Sequence, residues 1–124
     1  MPTTATITVN SLENNDAIRV VHITGELDES NLPEFERTVG PVALDPKTQI
    51  LIFNFMGLKF MNSKVIGYFA YLYTTLSRTQ RKIIFACYNQ NIRDIITLVG
   101  LDKVVESFPT LEGAIESAYR IVQA

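Results

Sequence analysis

The sequence predicts an α/β fold: a mostly parallel central sheet, an antiparallel strand at its N-terminal side, and about four helices. Three observations carry this. Ile50 to Asn54 and Ile83 to Cys87 are continuous apolar runs, the pattern of strands buried on both faces. Between and after them the apolar period changes to the three-and-four spacing of a helix. Turn residues at Asn14-Asn15-Asp16, Gly40-Pro41, Asp45-Pro46, Gly57 and Phe108-Pro109 cut the chain into short alternating elements.

Taken in order, Thr4 to Val9 and Ala17 to Thr24 are rich in Thr, Val and Ile and flank a loop suited to a hairpin, so they read as the first two strands. Leu32, Phe35 and Val39 then form a helical stripe, with Asn31 and Glu34 spaced as a capping box. The strand Ile50 to Asn54 follows. Val65, Phe69, Leu72 and Leu76, widened by Ile66 and Tyr73, give the longest and most apolar helix, which ends before the polar run Ser77 to Lys82. After the strand Ile83 to Cys87, a third helix carries Ile92, Ile95, Ile96 and Val99. It stops at Gly100, a natural left-handed cap closed by Leu101. A short strand is expected at Lys103 to Glu106, and Leu111, Ala114, Ile115 and Ala118 mark a fourth helix. Strands alternating with helices in this order imply right-handed crossovers.

At 124 residues there is room for one domain with one core, covering 1–124. Eleven Lys+Arg against thirteen Asp+Glu give a net charge of −2, so no basic field exists to hold a phosphate backbone, and direct nucleic-acid binding is not expected. No apolar run approaches the roughly 18 residues that span a bilayer, and the polar start from Pro2 to Thr8 lacks a signal layout. The expectation is a cytoplasmic protein without membrane insertion. The single Cys87 has no partner for a disulfide or a redox pair and reads as a small buried hydrophobe.

Catalysis fails on inventory. The one histidine, His22, lies mid-strand with no nucleophile motif beside it, and reads as structural. Metal sites built on two histidines are impossible, and neither phosphate-cradling glycine motif occurs, so no cofactor or metal is expected. The acids Glu26, Asp28, Glu29, Glu34 and Glu36 read as complements of a helix dipole and as solvated charges rather than as an acid–base pair. Asp28 stands out by position, because ligands and partners approach strand-to-helix junctions at the C-terminal edge of a parallel sheet.

Lys59 to Gly67 is the most informative segment, joining a buried strand to the strongest helix. Asn62 or Ser63 can cap that helix, leaving backbone N–H groups at a positive dipole end. Three motifs then stand in order: Gly25-Glu26-Leu27-Asp28 after an Ile/Val strand, Phe60-Met61-Asn62-Ser63 before an apolar helix, and Leu98-Val99-Gly100-Leu101 followed by Val104-Val105. In this order and spacing the chain resembles the bacterial STAS domain, the anti-sigma factor antagonist family, from about Ile18 to Ala118.

The resemblance implies a protein-interaction switch rather than an enzyme. In that family the strand-to-helix turn usually reads Asp-Ser-Ser-Gly, and its first serine is phosphorylated by a partner kinase that is also an anti-sigma factor. Position by position, Asn62 stands for the Asp, Ser63 for the phosphorylated serine, Lys64 for the second serine and Val65 for the glycine. Gly67 matches a later glycine of the helix's first turn, Asp28 the acidic residue beside the phosphorylation site, and Asn54 the polar residue ending the preceding strand. The implied partner-binding set is therefore Asp28, Asn62, Ser63, Lys64 and Gly67, with an anti-sigma factor/serine kinase and a phosphatase as partners. Lys64 either offsets the phosphate, meets a partner's carboxylate, or is a solvated lysine. Two other functions stay open: a non-phosphorylated scaffold or transporter accessory subunit, motivated by the altered turn, and a small-ligand or nucleotide-binding module using the helix start as an anion site.

Overall fold

A computed structural model describes residues 4–12 and 15–123. Its elements are β1 (Ala5–Leu12), β2 (Asn15–Leu27), α1 (Leu32–Leu44), β3 (Ile50–Asn54), β4 (Leu58–Met61), α2 (Ser63–Ser77), β5 (Lys82–Ala86), α3 (Gln90–Leu98), β6 (Glu106–Phe108) and α4 (Leu111–Gln123). The sheet runs β1-β2-β3-β5-β6, with β4 paired to the far end of β2. Among the described residues only β1 and β2 are antiparallel; the other pairings are parallel, as expected.

The continuous apolar runs lie at the centre because both sheet faces are covered. Alternate residues of β3 feed two cores. Leu51 and Phe53 join Val21, Ile23, Phe35, Val65, Phe69, Leu72, Phe85 and Ile92, while Ile50 and Ile52 join Ile18, Val20, Ile84, Ala114 and Ala118. Thus α1, α2 and α3 cover one face and α4 the other. In the first core Phe53 and Phe69 meet edge to face, centroids 4.8 Å apart, the arrangement an aromatic quadrupole favours.

Differences from the sequence expectation have local causes. β2 is longer than Ala17 to Thr24, and Asn15 and Asp16 belong to it; Glu13 and Asn14, the rest of the expected hairpin turn, lie outside the described residues. β4 was not expected, since four residues following Gly57 carry too little pattern. It follows the left-handed Gly57, φ +100°, whose carbonyl accepts the Gly25 N–H at 2.9 Å, and continues parallel to β2. The capping box at α1 does not form: Asn31 occupies the N-cap without a cap bond, and its Oδ1 instead accepts the Asp28 N–H at 3.0 Å. Cys87 falls just beyond β5, half-buried with φ +63°, and the expected strand at Lys103 to Glu106 is displaced to Glu106–Phe108. Gly100, left-handed at φ +81°, starts a 3-10 turn over Leu101–Lys103 whose carbonyl at Leu101 takes the N–H groups of Val104 and Val105, so those residues cannot join a ladder.

Candidate functional site

Three chain segments converge where β2 and β4 end and α2 begins. Leu27 and Met61 are register partners, and the Asn62 N–H donates to the Leu27 carbonyl at 3.3 Å. This bond sets the Asp28–Asn31 loop beside the start of α2. The β4 backbone is held from its other side by α3, whose cap Asn89 donates to the Leu58 carbonyl at 3.1 Å while Asn91 donates to Lys59 at 2.9 Å.

Between the two candidate caps the structure selects Asn62. Its Oδ1 accepts the Val65 N–H at 3.2 Å, and its Nδ2 donates to the Glu29 carboxylate. The hydroxyl of Ser63 is thus not needed to close the helix. Ser63 opens a 15-residue helix as an exposed side chain, at the positive end of the helix dipole. Lys64, Gly67 and Tyr71 are exposed on the same helix, and a Cβ built on Gly67 meets nothing within 4 Å.

Asp28 is half-buried and organises its own loop. Its Oδ1 accepts the Ser30 N–H at 2.8 Å and the Ser30 hydroxyl at 2.5 Å, while its carbonyl takes the N–H groups of Asn31 and Leu32. The carboxylate therefore fixes the turn that carries Glu29 to Asn62. Asn54 is engaged elsewhere: its Oδ1 accepts the Met56 N–H at 3.1 Å, which leaves Nδ2 facing His22 Nδ1 at 2.9 Å. The amide therefore donates to that ring nitrogen, while the other, Nε2, lies 3.2 Å from Asn10 Nδ2 on β1. His22 is a link between β1, β2 and β3.

Sequence reasoning missed two features of this surface. Glu29 was grouped with the solvated acids, whereas its bond to Asn62 crosses 33 positions and has no sequence signal. Met56 and Phe60 are large apolar side chains exposed at 65% and 42% beside the β2 end, where Phe60 pairs with Glu26. Phe60 has no sequence signal either, since β4 is buried at Leu58 and Met61 and exposed at both residues between, a pattern that departs from strand alternation.

Tyr68 backs the exposed face of α2. It stands edge-on to Phe35 of α1 with centroids 5.7 Å apart and stacks with Tyr71 at 5.9 Å. Burial, then the nearby Glu36 carboxylate and Tyr71, push its phenol up to about 12. Burial also pushes the Cys87 thiol above its ordinary value.

A cleft of about 330 Å³ lies at the opposite end of α2, lined by Tyr73, Ser77, Arg81, Lys82, Val104 and Glu106 among others. Among the described residues no group of three or more His, Cys, Asp or Glu is placed to hold a metal ion, and no helix is long and apolar enough to cross a membrane. The site is thus a solvent-facing polar and apolar surface around one helix start, not an enclosed pocket.

A sheet of this order, covered by helices on both faces, defines an α/β domain with a capped helix start beside the β2 end. The chain belongs to the STAS domain family, whose model matches residues 10–114. It is similar in structure to an anti-sigma factor antagonist from Mycobacterium paratuberculosis, with 25% identity and a TM-score of 0.83 over 94% of this chain and 95% of that one. The anti-sigma factor antagonist SpoIIAA in its unphosphorylated form matches at 19% identity and TM-score 0.79, over 92% of this chain and 96% of that one. The phosphorylated form of the Bacillus cell fate determinant SpoIIAA matches at 20% identity and TM-score 0.72, over 90% of this chain and 98% of that one. Comparison with curated proteins finds no match.

Proposed function

We propose that residues 1–124 act as one STAS-like domain and as a cytoplasmic partner switch of the anti-sigma factor antagonist type. The unmodified protein binds an anti-sigma factor that is also a serine kinase, through Asp28, Asn62, Ser63, Lys64 and Gly67. Phosphorylation of Ser63 releases it, and a phosphatase restores binding. The observation that carries this reading is the exposed Ser63 at the first position of α2, with the cap supplied by its neighbour Asn62.

The physics needs no catalysis by this chain. A phosphate adds about −1.5 to −2 charges. The helix dipole stabilises it locally, but it stands beside the acidic Asp28-Glu29 loop and in the middle of a surface that docking would desolvate. Lys64 offsets only part of that charge. Exposed Met56 and Phe60 supply apolar area near this end of the fold, and exposed Tyr71 adds more further along α2, as a docking surface requires.

Incubation with the cognate kinase and ATP, read by intact and peptide mass, tests the assignment. Ser63→Ala should resist modification and keep partner binding, and Ser63→Asp should weaken binding incompletely, since it supplies about one charge. Phosphate on another residue, or equal partner affinity for wild type and Ser63→Asp, would reject it and favour a scaffold that is not phosphorylated. The purified chain should turn over no nucleotide or ester, with His22→Ala as the control.

A further inference from the structure

β1 is an edge strand whose outer backbone groups can be identified. The Glu26 N–H donates to the Thr4 carbonyl at 3.0 Å, so Thr4 and Glu26 form a hydrogen-bonded antiparallel pair. Hydrogen-bonded and non-hydrogen-bonded pairs alternate along such a ladder. In the observed register the pairs Thr6/Thr24, Thr8/His22 and Asn10/Val20 are therefore bonded, and Ala5/Gly25, Ile7/Ile23, Val9/Val21 and Ser11/Arg19 are not. The Gly25 N–H agrees, since it points away from β1 to the Gly57 carbonyl at 2.9 Å. The N–H and C=O groups of Ala5, Ile7, Val9 and Ser11 therefore face outward from the sheet.

From Ala5 to Ser11 this edge has none of the charges, prolines or bulges that normally keep edges apart. Ala5 to Leu12 contains no charge and no proline, and its register is regular from Ala5 to Ser11. The outward-bonding residues also carry apolar side chains: Ala5, Ile7 and Val9 are only partly buried against the core beneath α1. The other face of β1 presents exposed Thr6, Thr8 and Asn10.

We propose that β1 is a self-association edge, occupied by β1 of a second copy of this chain, antiparallel about a twofold axis through Thr8. In that register Ala5 pairs with Ser11 and Ile7 with Val9 of the copy, so every outward N–H and C=O from Ala5 to Ser11 is used. Ile7 and Val9 meet as a cross-strand apolar pair, and no like charges face each other because the strand has none. The self-complementary strand is what selects a second copy as occupant. The twofold operator also closes after two chains.

Light scattering over a concentration series, with three variants, tests this. The wild type should show a concentration-dependent dimer. Ile7→Pro removes an N–H that does not serve β2, so it should keep the strand signal in circular dichroism and lose the dimer. Thr8→Cys, in a Cys87→Ser background, should give a disulfide-linked dimer under mild oxidation. Thr8 faces its own copy as a non-hydrogen-bonded pair, with Cβ atoms about 4.5 Å apart. Thr6→Cys in the same background faces Asn10 of the copy and should not cross-link. A wild type that stays monomeric up to its solubility limit overturns the proposal, as does a dimer that survives folded Ile7→Pro. If Ile7→Pro fails to fold, the cysteine pair decides, and cross-linking at Thr6→Cys in preference to Thr8→Cys rejects the edge register.

Discussion

Asn62 and Glu29 tie the start of α2 to the loop after β2: one amide atom of Asn62 caps the helix and the other donates to the Glu29 carboxylate. A single side chain thus fixes both the direction in which Ser63 is presented and the position of the acidic loop beside it. An aspartate at 62, the residue usual in the family, would keep the cap and suit the helix dipole, but it would face Glu29 with a like charge.

Asn62→Asp alone should therefore loosen the Asp28–Asn31 loop, and Asn62→Asp with Glu29→Gln should restore the contact, because the new amide donates to the new carboxylate. Asn62→Ala removes the cap and should cost about 0.5–2 kcal/mol. Urea unfolding of the four chains as a double-mutant cycle checks this; additive effects of Asn62→Asp and Glu29→Gln would mean that the Asn62–Glu29 bond carries no coupling. If Asn62 detunes kinase recognition, Asn62→Asp should also be phosphorylated faster.

Leu72 tests the core. It is 1% exposed at the centre of the stripe that α2 lays on the sheet. Leu72→Ala should cost about 2–5 kcal/mol, the cavity adding to the lost transfer energy. Chemical denaturation measures this, and unchanged stability would mean that the stripe does not pack as described.

How far the sequence could be read follows from how each signal is encoded. The buried strands β3 and β5 and the stripe of α2 were legible because burial on a whole face demands a repeated apolar pattern. Gly100 was legible because few residues adopt its left-handed turn. β4 was not, since its four residues have one buried position at each end and two exposed ones between. Asn31 was misread because the same amide can cap forward or bond back to Asp28, and spacing alone does not choose. The position of Ser63 at a helix start was legible in Phe60-Met61-Asn62-Ser63; the Asn62–Glu29 link was not, because two exposed side chains meet only once the fold has brought their loops together.

Tyr68 gives a pH prediction with a definite sign. Burial first, then Glu36 and Tyr71, raise its phenol from 10.0 to about 12. The folded chain holds this proton more tightly than the unfolded chain, so the contribution is complete below pH 10 and is lost as pH rises through about 12. In ultraviolet tyrosinate titrations Tyr68→Phe should remove the last ionising step, and Glu36→Gln should move that step to lower pH. A last step that survives in Tyr68→Phe would assign it to another tyrosine.

Gly67 separates helix stability from docking. It lies on the exposed face of α2 with open space where a side chain would stand, so Gly67→Ala meets no steric obstacle in the folded chain. Alanine should stabilise the helix by about 0.8–1 kcal/mol, because glycine leaves the backbone more freedom to lose on folding. A glycine kept on an exposed helix face despite that cost fits a surface where a partner's backbone approaches closely. Gly67→Ala should then raise the urea midpoint and weaken partner binding together, with Gly67→Leu weakening binding further while the fold stays intact. Denaturation and titration calorimetry with the same partner measure the two effects independently. Undiminished affinity in Gly67→Leu would place the docking surface off this part of α2 and leave Ser63, if modified, to act from its margin.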